Sequence, residues 1–175
     1  TCPFVKKIHK IVDEHSRAGE AVIIIGSPVH PEVEGIRGWG NGDTVVVENE
    51  ADAEDYNLPE GKKLCIVSQT TFNYNKFQEL VEKISKKGYD SSVLNTICNA
   101  TQERQVEAAR IASSVEAMIV IGGRHSSNTQ KLYEICLKEC KNTFYIQTLG
   151  DLDPDSVSSV RSVGITAGAS TPRKI

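Results

Sequence analysis

Several features that define common protein classes are missing from this sequence of 175 residues. The longest apolar runs, Ala21–Ile25 and Ala117–Ile121, are far shorter than the roughly 20 residues that a membrane-spanning helix needs. Neither sign of charge dominates, because the chain has 20 Lys and Arg residues and 23 Asp and Glu residues. The basic residues are scattered along the sequence and form no cluster. The sequence therefore predicts neither a membrane protein nor a protein that binds nucleic acid. A composition with 39% hydrophobic and 25% charged residues also excludes disorder, coiled coil and collagen.

A leader and a disulfide framework are missing as well. The chain begins Thr1-Cys2-Pro3, with no initiator Met and no charged-then-apolar segment, so we expect a piece of a longer protein without a signal peptide. Five Cys residues, an odd number at irregular spacing, favour reduced thiols in the cytoplasm or a metal site. Cys136 and Cys140 are predicted core residues, since one helix with two ligands cannot surround a tetrahedral metal. Cys65 is predicted to be a packed strand residue, because Leu64, Ile66 and Val67 flank it.

The sequence contains two copies of one α/β unit. Apolar residues at helical spacing over 3–19 precede the buried strand Ala21–Ile25, and a helix over 102–114 precedes the strand Ala117–Ile121. Cys2 and Gly26 are as far apart as Cys98 and Gly122, which places His30 opposite Ser126. We predict two tandem, pseudo-repeated α/β domains with mostly parallel sheets, residues 1–95 and 96–175. Further strands are expected at 44–47, 64–70, 92–95, 144–148 and 163–166, and further helices at 74–87 and 154–162.

Two thiols occupy equivalent positions in these copies. Cys2 and Cys98 each come just before a predicted helix, where the helix N-terminus favours the thiolate that attacks or binds metal. Each could equally be a small buried residue.

Short polar side chains follow four of the predicted strands. His30 and Glu32 follow the first strand, Thr70 and Thr71 another, and the loops 124–129 and 166–171 are rich in hydroxyl and amide groups. An imidazole and a carboxyl can move protons, and hydroxyl, amide and backbone N–H groups can cradle an anion. The sequence has no GxxxxGK(S/T) phosphate loop, and the glycines over 38–43 precede a strand, unlike a dinucleotide fingerprint. We therefore predict one polar ligand with several oxygens.

The motifs, taken in order, resemble the LytB/IspH family of 4-hydroxy-3-methylbut-2-enyl diphosphate reductases across the whole chain. They are Thr1-Cys2-Pro3, His30-Pro31-Glu32-Val33-Glu34-Gly35, Gln69-Thr70-Thr71, Thr96-Ile97-Cys98-Asn99-Ala100-Thr101, Ser126-Ser127-Asn128 and Thr166-Ala167-Gly168-Ala169-Ser170. The resemblance implies reductive removal of an allylic hydroxyl, which yields isopentenyl and dimethylallyl diphosphate in the methylerythritol phosphate pathway. It further implies three α/β domains in a trefoil, of which this chain would hold the second and an incomplete third.

The resemblance also assigns residues and partners. Cys2 and Cys98 match two of the three ligands of a 4Fe–4S cluster, and ferredoxin or flavodoxin would supply electrons. The residues expected around the diphosphate or hydroxyl are His30, Thr70, Ser126, Ser127, Asn128 and Ser170, with Glu32 as the proton donor. Because the third cysteine is not matched, we expect a labile or absent cluster and no activity from these 175 residues alone.

Two alternatives remain from the residues themselves. The first is a non-catalytic module of duplicated α/β units that binds a phosphate ligand, with Cys2 and Cys98 as packing residues. The second is a thiol redox switch formed by these two cysteines.

Overall fold

The computed structural model describes residues 2–172 and divides the chain into two compact α/β units. The first unit extends through Cys98 and the second begins at Asn99. The first contains α1 (Pro3–Arg17), β1 (Ala21–Ile25), α2 (Pro31–Arg37), β2 (Thr44–Val47), α3 (Glu50–Asp55), β3 (Leu64–Ser68), α4 (Tyr74–Ser85) and β4 (Ser91–Val93). The second contains α5 (Asn99–Ala112), β5 (Ala117–Ile121), α6 (Ser127–Glu139), β6 (Thr143–Ile146), a 3-10 helix (Leu149–Asp151), α7 (Asp155–Ser158) and β7 (Val163–Ala167).

Both sheets are parallel, which confirms the predicted fold class. The first sheet has the strand order β2-β1-β3-β4, and the second has the order β6-β5-β7. In each sheet the first strand of the unit lies inside, and the chain adds a strand on one side before crossing to the other. This reversal creates a topological switch point beside β1 in the first sheet and beside β5 in the second.

Burial on both faces explains why β1 is a continuous apolar run. All five residues of β1 are buried. Ile23 and Ile25 pack into a cluster that contains residues of α3 and α4, whereas Val22 and Ile24 pack into a cluster with residues of α1 and α2. Because successive side chains of a strand point to opposite faces, a strand covered by helices on both sides needs apolar residues throughout.

Some predicted elements differ from those observed. The stretch 154–162 forms only the short helix α7, because Ser156 and Ser158 hydrogen-bond backbone or side-chain oxygens nearby and so compete with a longer helix. Helix α3 was not predicted, and its cap is a reciprocal pair of bonds between Asn49 and Asp52. Strands β3 and β6 end before their Gln-Thr pairs, which therefore lie in the loops.

The three cysteines predicted to be core residues are buried, which confirms that prediction. Burial raises the pKa of the Cys65 thiol to about 12 and that of Cys136 to about 11. Cys140 is buried at the end of α6. Within residues 2–172, no helix is long and apolar enough to cross a membrane.

Candidate functional site

The first candidate site lies at the switch point of the first sheet, where the loops after β1 and β3 meet. Pro31 occupies the first turn of α2, and His30 caps the helix because its Nδ1 accepts the Glu32 backbone N–H at 3.2 Å. The cap places Glu32 in the first turn of α2, half-buried and directed toward the loop after β3. The imidazole of His30 therefore has a structural role in addition to any contact with a ligand.

Thr70 holds the Glu32 carboxylate with two hydrogen bonds. Its backbone N–H donates to Oε1 at 2.6 Å, and its hydroxyl donates to Oε2 at 2.7 Å. Both bonds are short, as expected when the acceptor is charged. The structure thus brings together two residues that the sequence placed in different loops.

Cys98 is tied to the same residue through its backbone. Its N–H donates to the Thr70 carbonyl oxygen at 3.0 Å, and its side chain is half-buried. Thr96, two residues before Cys98, is anchored to the end of β3, because its hydroxyl donates to the Ser68 carbonyl at 2.6 Å and accepts the Ser68 N–H at 2.7 Å. Glu32, Thr70 and Cys98 therefore form one connected set at the carboxyl edge of the first sheet.

Gln69 is a site residue that the sequence reasoning did not select. It is buried, its side-chain oxygen accepts the Ser27 N–H at 3.1 Å, and its nitrogen donates to the Thr71 hydroxyl at 3.0 Å. Gln147 accepts the Arg124 N–H at 3.4 Å in the second unit. The repeated Gln-Thr pair at two strand ends was the signal that could have identified this role.

His9 was also missed, and it lies on α1 in the electrostatic field of Glu32. Its ring stacks on Trp39 with centroids 5.3 Å apart, and its Nε2 is buried with no hydrogen-bond partner in the described part of the chain. Burial lowers the pKa of His9, and the negative charge of Glu32 opposes that shift. The imidazole is therefore biased toward its neutral form.

Cys2 stands at the beginning of α1, as predicted. Its side chain is exposed, and its carbonyl oxygen accepts the Lys6 N–H at 3.1 Å. Exposure and the position at a helix N-terminus leave its sulfur available as a ligand or nucleophile. The role of Cys2 and Cys98 as a pair of ligands stays a prediction.

A second candidate site lies in the second unit, at the switch point of the second sheet. Ser126 caps α6, and its hydroxyl accepts the Thr129 N–H at 3.4 Å. Asn128 is 6% exposed, and neither its Nδ2 nor its Oδ1 has a hydrogen-bond partner among residues 2–172. A buried amide without partners costs about 1–3 kcal/mol of stability, which a polar ligand would recover.

The remaining predicted site residues of the second unit, Ser127 and Ser170, differ in exposure. Ser127 is half-buried in the first turn of α6, whereas Ser170 is exposed in the loop after β7. That loop is attached to β5, because the Gly168 N–H and the Thr171 hydroxyl both donate to the Ile121 carbonyl, at 2.9 and 3.0 Å. Ser170 therefore lies in a loop fixed to the end of the strand that leads to Asn128.

Comparison with known proteins assigns the family. The model of the LytB protein family matches residues 1–175. The chain belongs to the LytB family. The resemblance inferred from the six motifs is thereby confirmed.

Curated and solved LytB relatives are longer than this chain. A 4-hydroxy-3-methylbut-2-enyl diphosphate reductase of Alkaliphilus oremlandii is 47% identical over 176 residues, covering 100% of this chain and 62% of that protein. One from Clostridioides difficile is 43% identical over 175 residues, with coverages of 100% and 62%. A solved structure, the E-1-hydroxy-2-methyl-but-2-enyl-4-diphosphate reductase from Plasmodium falciparum, matches with a TM-score of 0.93 at 32% identity. The match covers 98% of this chain and 55% of the Plasmodium chain. The chain therefore spans about three fifths of the length of these curated relatives.

Iron–sulfur chemistry is known for the LytB family, and the residues described here do not complete a site for a cluster. No group of three or more His, Cys, Asp or Glu side chains suited to a metal occurs within residues 2–172. Of the two cysteines outside the core, Cys2 is exposed and Cys98 is half-buried. On its own, the described chain does not supply the three thiolates that the family resemblance implies.

Proposed function

We propose that this chain is part of a 4-hydroxy-3-methylbut-2-enyl diphosphate reductase, acting in the cytoplasm in the methylerythritol phosphate pathway to isoprenoids. The observation that carries the proposal is the set of Glu32, Thr70 and Cys98, which places a carboxylate and a thiol around one anchored loop. Relatives that carry this enzyme name match nearly all of the chain. Residues 1–95 and 96–175 would be the second and third domains of a three-domain trefoil.

The reaction consumes two electrons and two protons. The allylic C–O bond breaks, a C–H bond forms on the allyl group, and the hydroxyl leaves as water, giving isopentenyl or dimethylallyl diphosphate. A ferredoxin or flavodoxin would supply the electrons. A carboxyl group next to the leaving oxygen provides one proton, and Glu32 is the candidate because its two oxygens are oriented by Thr70.

Substrate binding would use residues of each unit. The proposed contacts to the diphosphate or hydroxyl are His30, Thr70, Ser126, Ser127, Asn128 and Ser170. The unpartnered, buried amide of Asn128 supports this assignment, since a diphosphate oxygen can accept from Nδ2 and a hydroxyl can donate to Oδ1.

Cys2 and Cys98 would be two of the three protein ligands of a 4Fe–4S cluster, and the third would come from a part of the enzyme other than residues 2–172. When bound, such a cluster supplies a Lewis acid and an electron donor. Since two thiolates hold a cluster weakly, we expect no turnover from the 175-residue chain alone.

Two measurements test the proposal. Isothermal titration of the chain with inorganic diphosphate should detect binding that Asn128→Ala weakens and that Asn142→Ala, at an exposed amide of the same unit, leaves unchanged. Anaerobic reconstitution with iron and sulfide should give a brown, labile protein whose colour is lost in Cys2→Ser and Cys98→Ser and kept in Cys140→Ser.

The outcomes separate the candidate functions. A colourless chain that binds diphosphate regardless of Cys2 and Cys98 would fit the non-catalytic binding module, and equally a reductase chain whose set of cluster ligands is incomplete. A chain that binds neither iron nor diphosphate would contradict the reductase proposal. Steady turnover by the chain with a chemical reductant would refute the incomplete ligand set.

A further inference from the structure

A buried side chain presses against two glycines in the second unit. Thr129 is fully buried in the first turn of α6. A Cβ atom on Gly168 would lie 2.0 Å from its Oγ1, and a Cβ atom on Gly122 would lie 2.6 Å from Oγ1 and 2.9 Å from Cγ2. No side chain fits at those distances, so the strand ends of β5 and β7 approach α6 closely because both positions are glycine.

The first unit has the same arrangement. Val33 is fully buried in the first turn of α2, and a Cβ atom on Gly26, at the end of β1, would lie 2.8 Å from its Cγ2. Val33 directly follows Glu32, just as Thr129 directly follows Asn128. In both units a β-branched side chain, packed on a glycine, comes immediately after a candidate site residue.

We propose that Val33 and Thr129 are positioning residues for the candidate site residues that they follow, Glu32 and Asn128, an inference that rests on the proposed function. A β-branched side chain is stiff about χ1, so its packing on the strand end fixes the helix start and hence the neighbouring Glu32 or Asn128. Thr129 packs against two loops. Gly122 directly follows β5, and Gly168 belongs to the loop after β7 that carries Ser170. The hydrogen bonds from Gly168 and Thr171 to the Ile121 carbonyl hold that loop in contact with Thr129.

The shape of the side chain, and not its hydroxyl, carries this role. Val33 fills the equivalent position with no polar atom. The Thr129 hydroxyl faces Tyr145, yet it makes no hydrogen bond of normal geometry among the described residues. The Tyr145 hydroxyl instead donates to the Gly123 carbonyl at 2.6 Å. Thr129→Val should therefore preserve the position of Asn128.

A double-mutant cycle between Gly168 and Thr129 tests the inference. Gly168→Ala places a methyl group where Thr129 lies, so we expect the affinity of the chain for inorganic diphosphate to fall by about tenfold or more. Thr129→Ala removes Oγ1 and Cγ2, and in the double variant the new methyl group takes part of the vacated space. The double variant should therefore bind diphosphate more tightly than Gly168→Ala alone, which additive effects could not produce.

Two controls separate positioning from general stability. Thr143→Ala removes a buried hydroxyl that donates to the Cys140 carbonyl at 2.6 Å, so it should lower the unfolding free energy while leaving diphosphate affinity unchanged. Thr129→Val should retain affinity within about threefold of the original chain, because the branched shape is kept and no hydrogen bond of Oγ1 among the described residues is lost. Titrations followed by NMR at the Asn128 side-chain amide report affinity and position together.

Each outcome bears on one of the two proposals. If the original chain binds diphosphate and Gly168→Ala binds it equally well, or Thr129→Ala fails to rescue Gly168→Ala, the positioning role is wrong and the proposed function is untouched. A large loss of affinity in folded Thr129→Val would also overturn it, since the hydroxyl would then matter. If the original chain does not bind diphosphate, the proposed function fails, and the positioning role fails with it.

Discussion

At the scale of single residues, Glu32 lies on helix α2, and its carboxylate is held by Thr70 in the loop after β3. Thr70 contributes both a backbone N–H and a hydroxyl, one to each oxygen. Both carboxylate oxygens accept, and both hydrogen bonds are charge-assisted. An amide in this place keeps both contacts only if the Thr70 hydroxyl turns to accept, and both hydrogen bonds then become neutral. The identity of the residue, and not only its size, is therefore important for the stability of the loop.

We predict that Glu32→Gln lowers the unfolding free energy by about 1–2 kcal/mol, because two charge-assisted hydrogen bonds become neutral ones. Urea denaturation at pH 7 measures the change. Glu34→Gln is the matched control, since Glu34 is exposed on the same helix, and its effect should stay within about 0.5 kcal/mol. Equal stability of the two variants would show that Thr70 does not stabilise the charged form of Glu32.

At the scale of elements, the junctions between β1 and α2 and between β5 and α6 both begin with a capped helix, but the capping groups differ chemically. Ser126 caps α6 with a hydroxyl, whereas His30 caps α2 with an imidazole nitrogen at the equivalent position of the repeat. Pro31 is the first residue of α2, and Ser127 is the first residue of α6. The caps orient the first turns, where Glu32 and Asn128 lie.

We predict that Ser126→Ala costs about 1 kcal/mol of stability and exposes the Thr129 amide to hydrogen exchange, since that N–H loses its acceptor. Ser126→Asn should restore most of the stability, because asparagine caps helices equally well. Thermal unfolding and amide exchange by NMR provide the measurements. Unchanged protection of the Thr129 amide in Ser126→Ala would show that the serine does not cap the helix.

At the scale of the whole molecule, three buried acids make the folded chain sensitive to alkali. Burial raises the pKa of Cys65 to about 12 from 9.0, that of Tyr56 to about 12 from 10.0, and that of Cys136 to about 11 from 9.0. Above pH 9 the unfolded chain loses these protons first, so the folded state binds more protons than the unfolded state. Stability therefore falls as the pH rises from 9 toward 11.

We predict that Cys65→Ala flattens this decline by up to about 1.4 kcal/mol per pH unit. Urea denaturation between pH 7 and about pH 10.5 gives the slope for each protein. Below pH 8 the variant and the original chain should run in parallel, because the thiol is protonated in both states. Parallel curves above pH 9 as well would contradict a raised pKa for Cys65.

The sequence by itself determined the parallel strands, the duplicated α/β unit and the loops that carry the candidate site residues, because these follow from local patterns. Apolar runs such as Ala21–Ile25 require cover on both faces, and strand ends carry polar residues whatever the rest of the chain does. The family was also readable, since its motifs are contiguous.

Only the tertiary structure decided which residues touch. The pairing of Glu32 with Thr70 and the packing of Thr129 on Gly168 both join residues from different strand ends. Sequence spacing cannot give these contacts, because they depend on which strands become neighbours when the sheet reverses direction at its switch point.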